Sequence, residues 1–411
     1  MSDMTVVKTR EQLIEELKKY EKIVIYGYNN IAKTIYRFIR TNNLQDKVIG
    51  FTGPKRKKEE ILFSFTVQEP EQFSGTENTL FLLCVSESVL TKGAERIEKI
   101  EGPKVVVDYA LFCELSQEEN VHIDFMCPGF TKCGTSSLQN ALKKHPGVFL
   151  PTPKETYYLH WRKKYDDSPE RYKEKYFANV QKNKKIGDIE PAYHNCAIGA
   201  YECFGKDLKL IFMMRNPADA VYSYFKMMMR RTEYKKQVGY YKKYKKFDVR
   251  MFDDFMNDYV FNGKDRRYKY AEIIDEYLQY FDKENMMFVL FEDLIQEPTR
   301  VLDEIQEFIG VKRKEYKSLP HSNDGKLVSK NYFCARLNRQ LYRLRLDLPG
   351  NKNKKLVKYY RKMFAFFEKR TMVENKEKML PESRERAMEF YRDDIKRLEE
   401  IMGRSLEGIW Y

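Results

Sequence analysis

Short apolar runs alternate with helix-spaced stretches through the first hundred residues. Lys22 to Tyr26 is an apolar run that stops at Gly27, Ile31 to Arg40 carries apolar side chains at helical spacing, and Lys47 to Phe51 is a second run. Leu80 to Val85 and Val105 to Val107 are two more, with helical spacing around Val89 to Ile100 between them. Apolar runs this short, bounded by turn residues, predict buried strands, and strands alternating with helices predict a parallel sheet. The front of the chain is therefore expected to be a small α/β domain over residues 1–118. The polar segment Leu115 to Asn120 precedes a new strand, which puts a boundary there and a second domain over residues 121–411.

In that second domain Val121 to Phe130 is apolar and ends in Pro128 and Gly129. Thr131, Lys132, Cys133, Gly134, Thr135, Ser136 and Ser137 follow. Leu138, Ala141 and Leu142 then have helical spacing, and His145, Pro146 and Gly147 end the helix. Strand, glycine loop and helix in this order suit an anion: glycine lets the backbone curl around oxygen, and the first helical N–H groups point at it. The spacing of Gly129 and Gly134 approaches GxxxxGK[ST], but Thr135 stands where the lysine belongs and the lysine comes earlier, at Lys132. An ordinary ATP-hydrolysing loop is disfavoured. A second such unit begins at Leu208 to Met214, where Arg215 closes the strand, Asn216 can cap the next helix and Pro217 suits its first turn. Arg215 thus lies at the carboxyl end of a strand, where α/β sheets place ligands. Met286 to Leu294 and the helix after Pro298 make a third strand-and-helix unit.

Charge narrows the partners. The 411 residues carry 75 Lys and Arg against 61 Asp and Glu, a net +14, which favours an anionic partner without choosing one. The 27 Phe and 30 Tyr supply large side chains for a core. Seven scattered cysteines include no CxxC pair and no metal-ligand spacing, so neither a disulfide framework nor a metal is expected. The first residues are charged and amphipathic, and no apolar run is long enough to span a membrane, which predicts a cytoplasmic protein.

GFTKCGTSSL resembles the 5′-phosphosulfate loop of sulfotransferases that use 3′-phosphoadenosine 5′-phosphosulfate (PAPS), especially the glycosaminoglycan and heparan sulfate type. RNPADAVYSYF resembles the 3′-phosphate motif of the same family. The resemblance covers about Val121 to Tyr411 and implies a P-loop-like, three-layer α/β domain around a central parallel sheet. It assigns Thr131, Lys132, Cys133, Gly134, Thr135, Ser136 and Ser137 to the 5′-phosphosulfate, Arg215 and Ser223 to the 3′-phosphate, and charge relief at the leaving group to Lys132. It implies PAPS as co-substrate, no metal, and a carbohydrate acceptor such as a bacterial surface polysaccharide.

In carbohydrate sulfotransferases a glutamate ahead of an aromatic pair serves as general base, and Glu155 of KETYY stands at that place. Lys154 could assist the sulfuryl oxygens, and His160 is the alternative base. Gly187 to Tyr193 resembles a segment lining the acceptor cleft, but Ile189, followed by Glu190, stands where some glycosaminoglycan enzymes carry a catalytic lysine two residues before the proline.

Ten Lys and Arg between Lys226 and Arg250 alternate with tyrosines, as an acidic polysaccharide site or a solvated helix would, and Lys352 to Arg361 reads the same way. No element for reading nucleic acid is present, and peripheral membrane contact stays open. Gly27 to Ala32 is a partial dinucleotide fingerprint, similar to small Rossmann-like domains at the front of bacterial surface-sugar enzymes, so docking or a structural role is expected there. The rival functions are a P-loop nucleotide kinase and a non-enzymatic polyanion-binding protein.

Overall fold

Three consecutive residues explain the front sheet. Ile23, Val24 and Ile25 are wholly buried; Ile23 and Ile25 join one apolar cluster, and Val24 joins another with Phe81, Leu83 and Val106. Successive side chains of a strand point to opposite faces, so an unbroken apolar run needs cover on both. The sheet has the strand order Met4–Val7, Lys104–Val107, Thr79–Leu83, Lys22–Tyr26, Val48–Thr52, with every pairing parallel. Gly27 follows the strand Lys22–Tyr26 at φ +138°, and a Cβ there would lie 2.5 Å from the carbonyl oxygen of Cys84. Asn29 caps the helix Asn30–Thr41 by accepting from the N–H of Ala32 at 3.1 Å.

The computed structural model describes residues 4–53, 61–73, 75–85, 90, 97–98, 100–161, 168–231, 235–316, 327–347 and 354–411. Most of the helix expected around Val89 to Ile100, and Tyr234 of the basic stretch, lie outside them. Segment Leu115 to Glu119 completes a helix, Tyr109–Glu119, in which Leu111, Phe112 and Leu115 are buried. Glu119 closes it by accepting from the Arg37 Nε at 2.8 Å and the Thr34 hydroxyl at 2.7 Å.

The second sheet has the order Met286–Leu290, Lys209–Met214, Phe125–Gly129, Lys185–Ile189, Val148–Phe149. Its first two strands pair in parallel from Leu210 with Met286 to Met214 with Leu290. The fold is α/β with parallel central sheets. Packing divides the chain into two units: Met1–Met126 with Phe149–Lys209 and Tyr280–Asn285, and Cys127–Val148 with Leu210–Gln279 and Met286–Tyr411.

Within the second unit several cations of the basic stretch are paired with acids. Lys236 meets Asp258 at 2.8 Å, Lys243 meets Asp254 at 2.9 Å and Arg250 meets Asp248 at 2.6 Å, while Tyr240 and Tyr241 turn inward. That is the arrangement of a solvated helix face over a core.

Candidate functional site

The glycine loop grows from the strand Phe125–Gly129, whose residues are all buried, into the helix Thr135–Leu142. Lys132 has φ +67° and Gly134 φ +89°. A non-glycine residue in the left-handed region costs on the order of 1 kcal/mol, so the surroundings must impose the turn at Lys132. Gly134 has no alternative: a Cβ would lie 2.6 Å from the ring of Phe291. Thr135 and Ser137 are buried, Ser136 is exposed, and Thr131 and Lys132 are half-buried. The Cys133 side chain faces inward, its thiol 3.4 Å from the Tyr270 hydroxyl, and burial pushes that thiol up to about 12. The Cys133 thiol also donates to the carbonyl of Thr131 at 3.6 Å, and its N–H donates to the carbonyl of Phe130 at 3.2 Å.

The second cradle belongs to the same unit. Arg215 follows the strand Lys209–Met214, half-buried, with its guanidinium 4.9 Å from the centre of the Phe291 ring. Asn216 caps the helix Pro217–Arg231 as expected, its side-chain oxygen accepting from Ala218 N–H at 3.1 Å and Asp219 N–H at 3.3 Å. Its amide donates to the carbonyl of Trp410 at 2.9 Å, and its own N–H donates to Glu292 at 3.0 Å. Ser223 lies on that helix, half-buried.

Two side chains that the sequence did not single out, Tyr270 and Phe291, tie the cradles together, and Tyr268 braces the loop. The Tyr270 hydroxyl donates to the carbonyl of Arg215 at 2.8 Å and lies against Cys133 of the loop. Tyr268 donates to the carbonyl of Thr131 at 3.0 Å. Phe291 meets Gly134 on one side and Arg215 on the other. Two turns rich in N–H groups and carrying Lys132 and Arg215 are thus held at a fixed spacing, as a ligand with anionic groups at both ends requires.

The first unit holds Lys154, Glu155 and His160. Glu155 at φ +69° and Tyr157 at φ +53° flank the fully buried Thr156. Thr156 donates to Asp188 Oδ2 at 2.8 Å and meets the Tyr193 hydroxyl at 2.8 Å. The N–H of Tyr157 donates to Glu190 Oε2 at 3.1 Å. This strained turn is therefore clamped by the end of the strand Lys185–Ile189, where Asp188 and Glu190, two residues apart, serve it with two carboxylates. The Glu155 carboxylate is exposed and accepts from the Tyr157 hydroxyl at 3.1 Å. Lys154 is half-buried. His160 is exposed, with Nε2 3.0 Å from the carbonyl of Ala192.

Burial sets the chemistry of the two acids. Asp188 is raised to about 6 by loss of hydration, opposed by hydrogen bonds from Thr156 and Tyr172. Glu190 is raised to about 8, again by burial first, opposed by N–H donation from Ala192 and Tyr157 and reinforced by the charges of Asp188 and Glu155. A strand ending in alternating acids between Gly187 and Pro191 was the available signal, but isolated carboxylates ordinarily read as surface residues.

Residues 122–401 match the family model described as the sulfotransferase domain. No curated protein matches the chain. Among solved structures, a sulfotransferase from Alicyclobacillus acidocaldarius is 19% identical and covers 70% of this chain and 98% of its own, with a TM-score of 0.45. The sulfotransferase domain of the Synechococcus PCC 7002 olefin synthase is 15% identical over 66% of this chain and 94% of its own, with a TM-score of 0.33. A mouse sulfotransferase complexed with PAP is 16% identical over 50% and 64%, with a TM-score of 0.30. The family match, spanning more than half of the chain and both cradles, identifies this protein as a member of the sulfotransferase domain family and hence as a sulfuryl-transferring enzyme.

Proposed function

We propose that this enzyme transfers the sulfuryl group of PAPS to a hydroxyl of a carbohydrate acceptor. The observation that carries the reading is the pair of anion cradles joined through Tyr270, one with Lys132 and the other with Arg215. Thr131 to Ser137 take the 5′-phosphosulfate, and Arg215 and Ser223 take the 3′-phosphate. Fit is supported by the loop itself, where glycine is obligatory at position 134.

In the transfer, the acceptor oxygen attacks sulfur in line, the new O–S bond forms and the bond from sulfur to the 5′-phosphate oxygen breaks. The acceptor proton goes to Glu155, and the electron pair leaves on the phosphate beside Lys132, which neutralises it. Lys154 is assigned to assist the sulfuryl oxygens, and His160 is the second candidate for the proton. Residues 1–118 form a front domain with a docking or structural role.

The test has two arms. Calorimetry should show 3′-phosphoadenosine 5′-phosphate binding tightly and ATP weakly, with Arg215→Ala losing roughly tenfold or more, as the loss of a charge-assisted hydrogen bond predicts. Isotopically labelled donor offered to glycan, lipid and phenolic acceptors should label a glycan. Glu155→Gln should lower kcat by roughly 10²–10⁴ and Lys132→Ala should abolish transfer. ATP preference would point to a kinase, and unchanged turnover of Lys132→Ala would reject the loop assignment.

A further inference from the structure

Charge along this chain is unevenly spread, and most of the excess lies outside the cradles. Residues 327–374 contain thirteen Lys and Arg against three Asp and Glu, a net +10 of the chain's +14 within 48 residues. They comprise the helices Tyr332–Asp347 and Lys354–Thr371, which pack on each other, and the short strands Leu327–Ser329 and Met372–Glu374, which pair antiparallel at their base. In the stretch between Lys226 and Arg250, by contrast, Arg230, Lys236, Lys243 and Arg250 meet acids. Here, among the described residues, Arg336, Lys362, Lys369 and Arg370 are exposed and meet no carboxylate, and one of the three acids, Glu368, is already engaged by Arg230 of another helix at 3.1 Å.

The same segment exposes apolar rings. Phe333 is 76% exposed, the most of any large apolar side chain among the described residues, and Phe366 is 51% exposed, with Val373 at 45% close by in sequence. On the second helix Lys362, Ala365, Phe366, Lys369 and Arg370 are all exposed, at the spacing of a single helical face. On the first, Phe333 and Arg336 are exposed three residues apart. Each exposed Phe is thus flanked at helical spacing by cations, and the Arg370 guanidinium lies 3.5 Å from the centre of the Phe366 ring.

We propose that this helix pair docks the enzyme on an anionic lipid surface, with Phe333 and Phe366 entering the headgroup boundary and the surrounding Lys and Arg meeting lipid phosphates. Charge complementarity selects an anionic partner. Exposed rings select the lipid over an acidic polysaccharide or nucleic acid, since a purely polyanionic partner in water would leave them wet, whereas an interfacial helix sinks its apolar face and lets basic side chains reach the headgroups. Attachment is to the surface: no helix among the described residues is long and apolar enough to cross a membrane. The proposal is independent of the transfer chemistry assigned above.

Full-length protein mixed with sucrose-loaded vesicles tests it by co-sedimentation. Binding is expected to vesicles of phosphatidylcholine containing phosphatidylglycerol, to weaken steeply with salt, and to be absent from phosphatidylcholine alone. The doubly substituted F333S/F366S protein, its fold checked by circular dichroism, should bind the anionic vesicles roughly tenfold or more weakly while keeping its affinity for dextran sulfate. Phe366→Trp should shift its emission to the blue on the anionic vesicles. No sedimentation with phosphatidylglycerol, or sedimentation undiminished in F333S/F366S, would overturn the proposal; the latter would mark the surface as a general polyanion site.

Discussion

Tyr270 donates its hydroxyl to the main-chain carbonyl of Arg215 at 2.8 Å, from a ring that packs 4.6 Å from Phe130, the residue at the mouth of the glycine loop. One side chain therefore reports the position of both cradles. Tyr270→Phe keeps the packing and removes the hydroxyl, leaving a buried carbonyl and the Cys133 thiol without their shared partner. A cost of about 1–2 kcal/mol is expected, read as roughly fivefold to thirtyfold weaker binding of 3′-phosphoadenosine 5′-phosphate by calorimetry. Binding unchanged within twofold would show that the cradles keep their spacing without it.

Gly134→Ala tests the loop from the other side. The new methyl group meets the Phe291 ring, and the backbone there is left-handed. Denaturant titration should show a loss of about 2 kcal/mol, with nucleotide binding lost as well, because Phe291 cannot retreat without releasing Arg215. An alanine variant with wild-type stability would mean that the ring yields freely.

The acid cluster predicts an unusual dependence of stability on pH. Asp188 and Glu190 hold their protons more tightly folded, at about 6 and about 8, than their ordinary values of 3.8 and 4.5 allow. The unfolded chain therefore binds fewer protons between these limits, and stability falls as pH rises. The contribution is complete below the ordinary values and lost through about 6 for Asp188 and about 8 for Glu190. Thermal midpoints measured across this range should decline, and Glu190→Gln should flatten the upper part of the decline.

Thr156→Val separates positioning from binding. The substitution removes the hydroxyl that joins Asp188 to Tyr193 under the strained Glu155 turn while preserving its bulk. A displaced carboxylate costs rate, so kcat should fall by about tenfold to a hundredfold with the donor KM unchanged. A raised donor KM with intact kcat would place this turn on the nucleotide instead.

Much of this arrangement is legible in residue order because its signals are local. The strand Lys209–Met214 is continuous and apolar, Asn216 and Pro217 start the next helix, and Gly134 sits where the loop must turn. The first residues of the apolar run from Val121 stay outside the strand, which spans only Phe125–Gly129. What ties the cradles together could not be read in this way. Tyr270 lies 137 residues from Cys133 and 55 from Arg215, and a tyrosine opening an amphipathic helix gives no hint of partners so far along the chain. The burial of Asp188 and Glu190 could not be read for another reason. Charged side chains are rarely buried, and the hydroxyls of Thr156 and Tyr172, both donating to Asp188 Oδ2, offset part of the cost there.

The Asn216 amide finds its acceptor at Trp410, 194 residues downstream. On the ribosome, then, the glycine loop and the strand bearing Arg215 emerge long before the residue that completes the cap between strand and helix. Nucleotide affinity should arrive late, after the closing tryptophan has left the exit tunnel. Once it arrives, the cellular pool of donor and spent nucleotide acts as a folding ligand, drawing the freshly made chain toward its finished state by mass action.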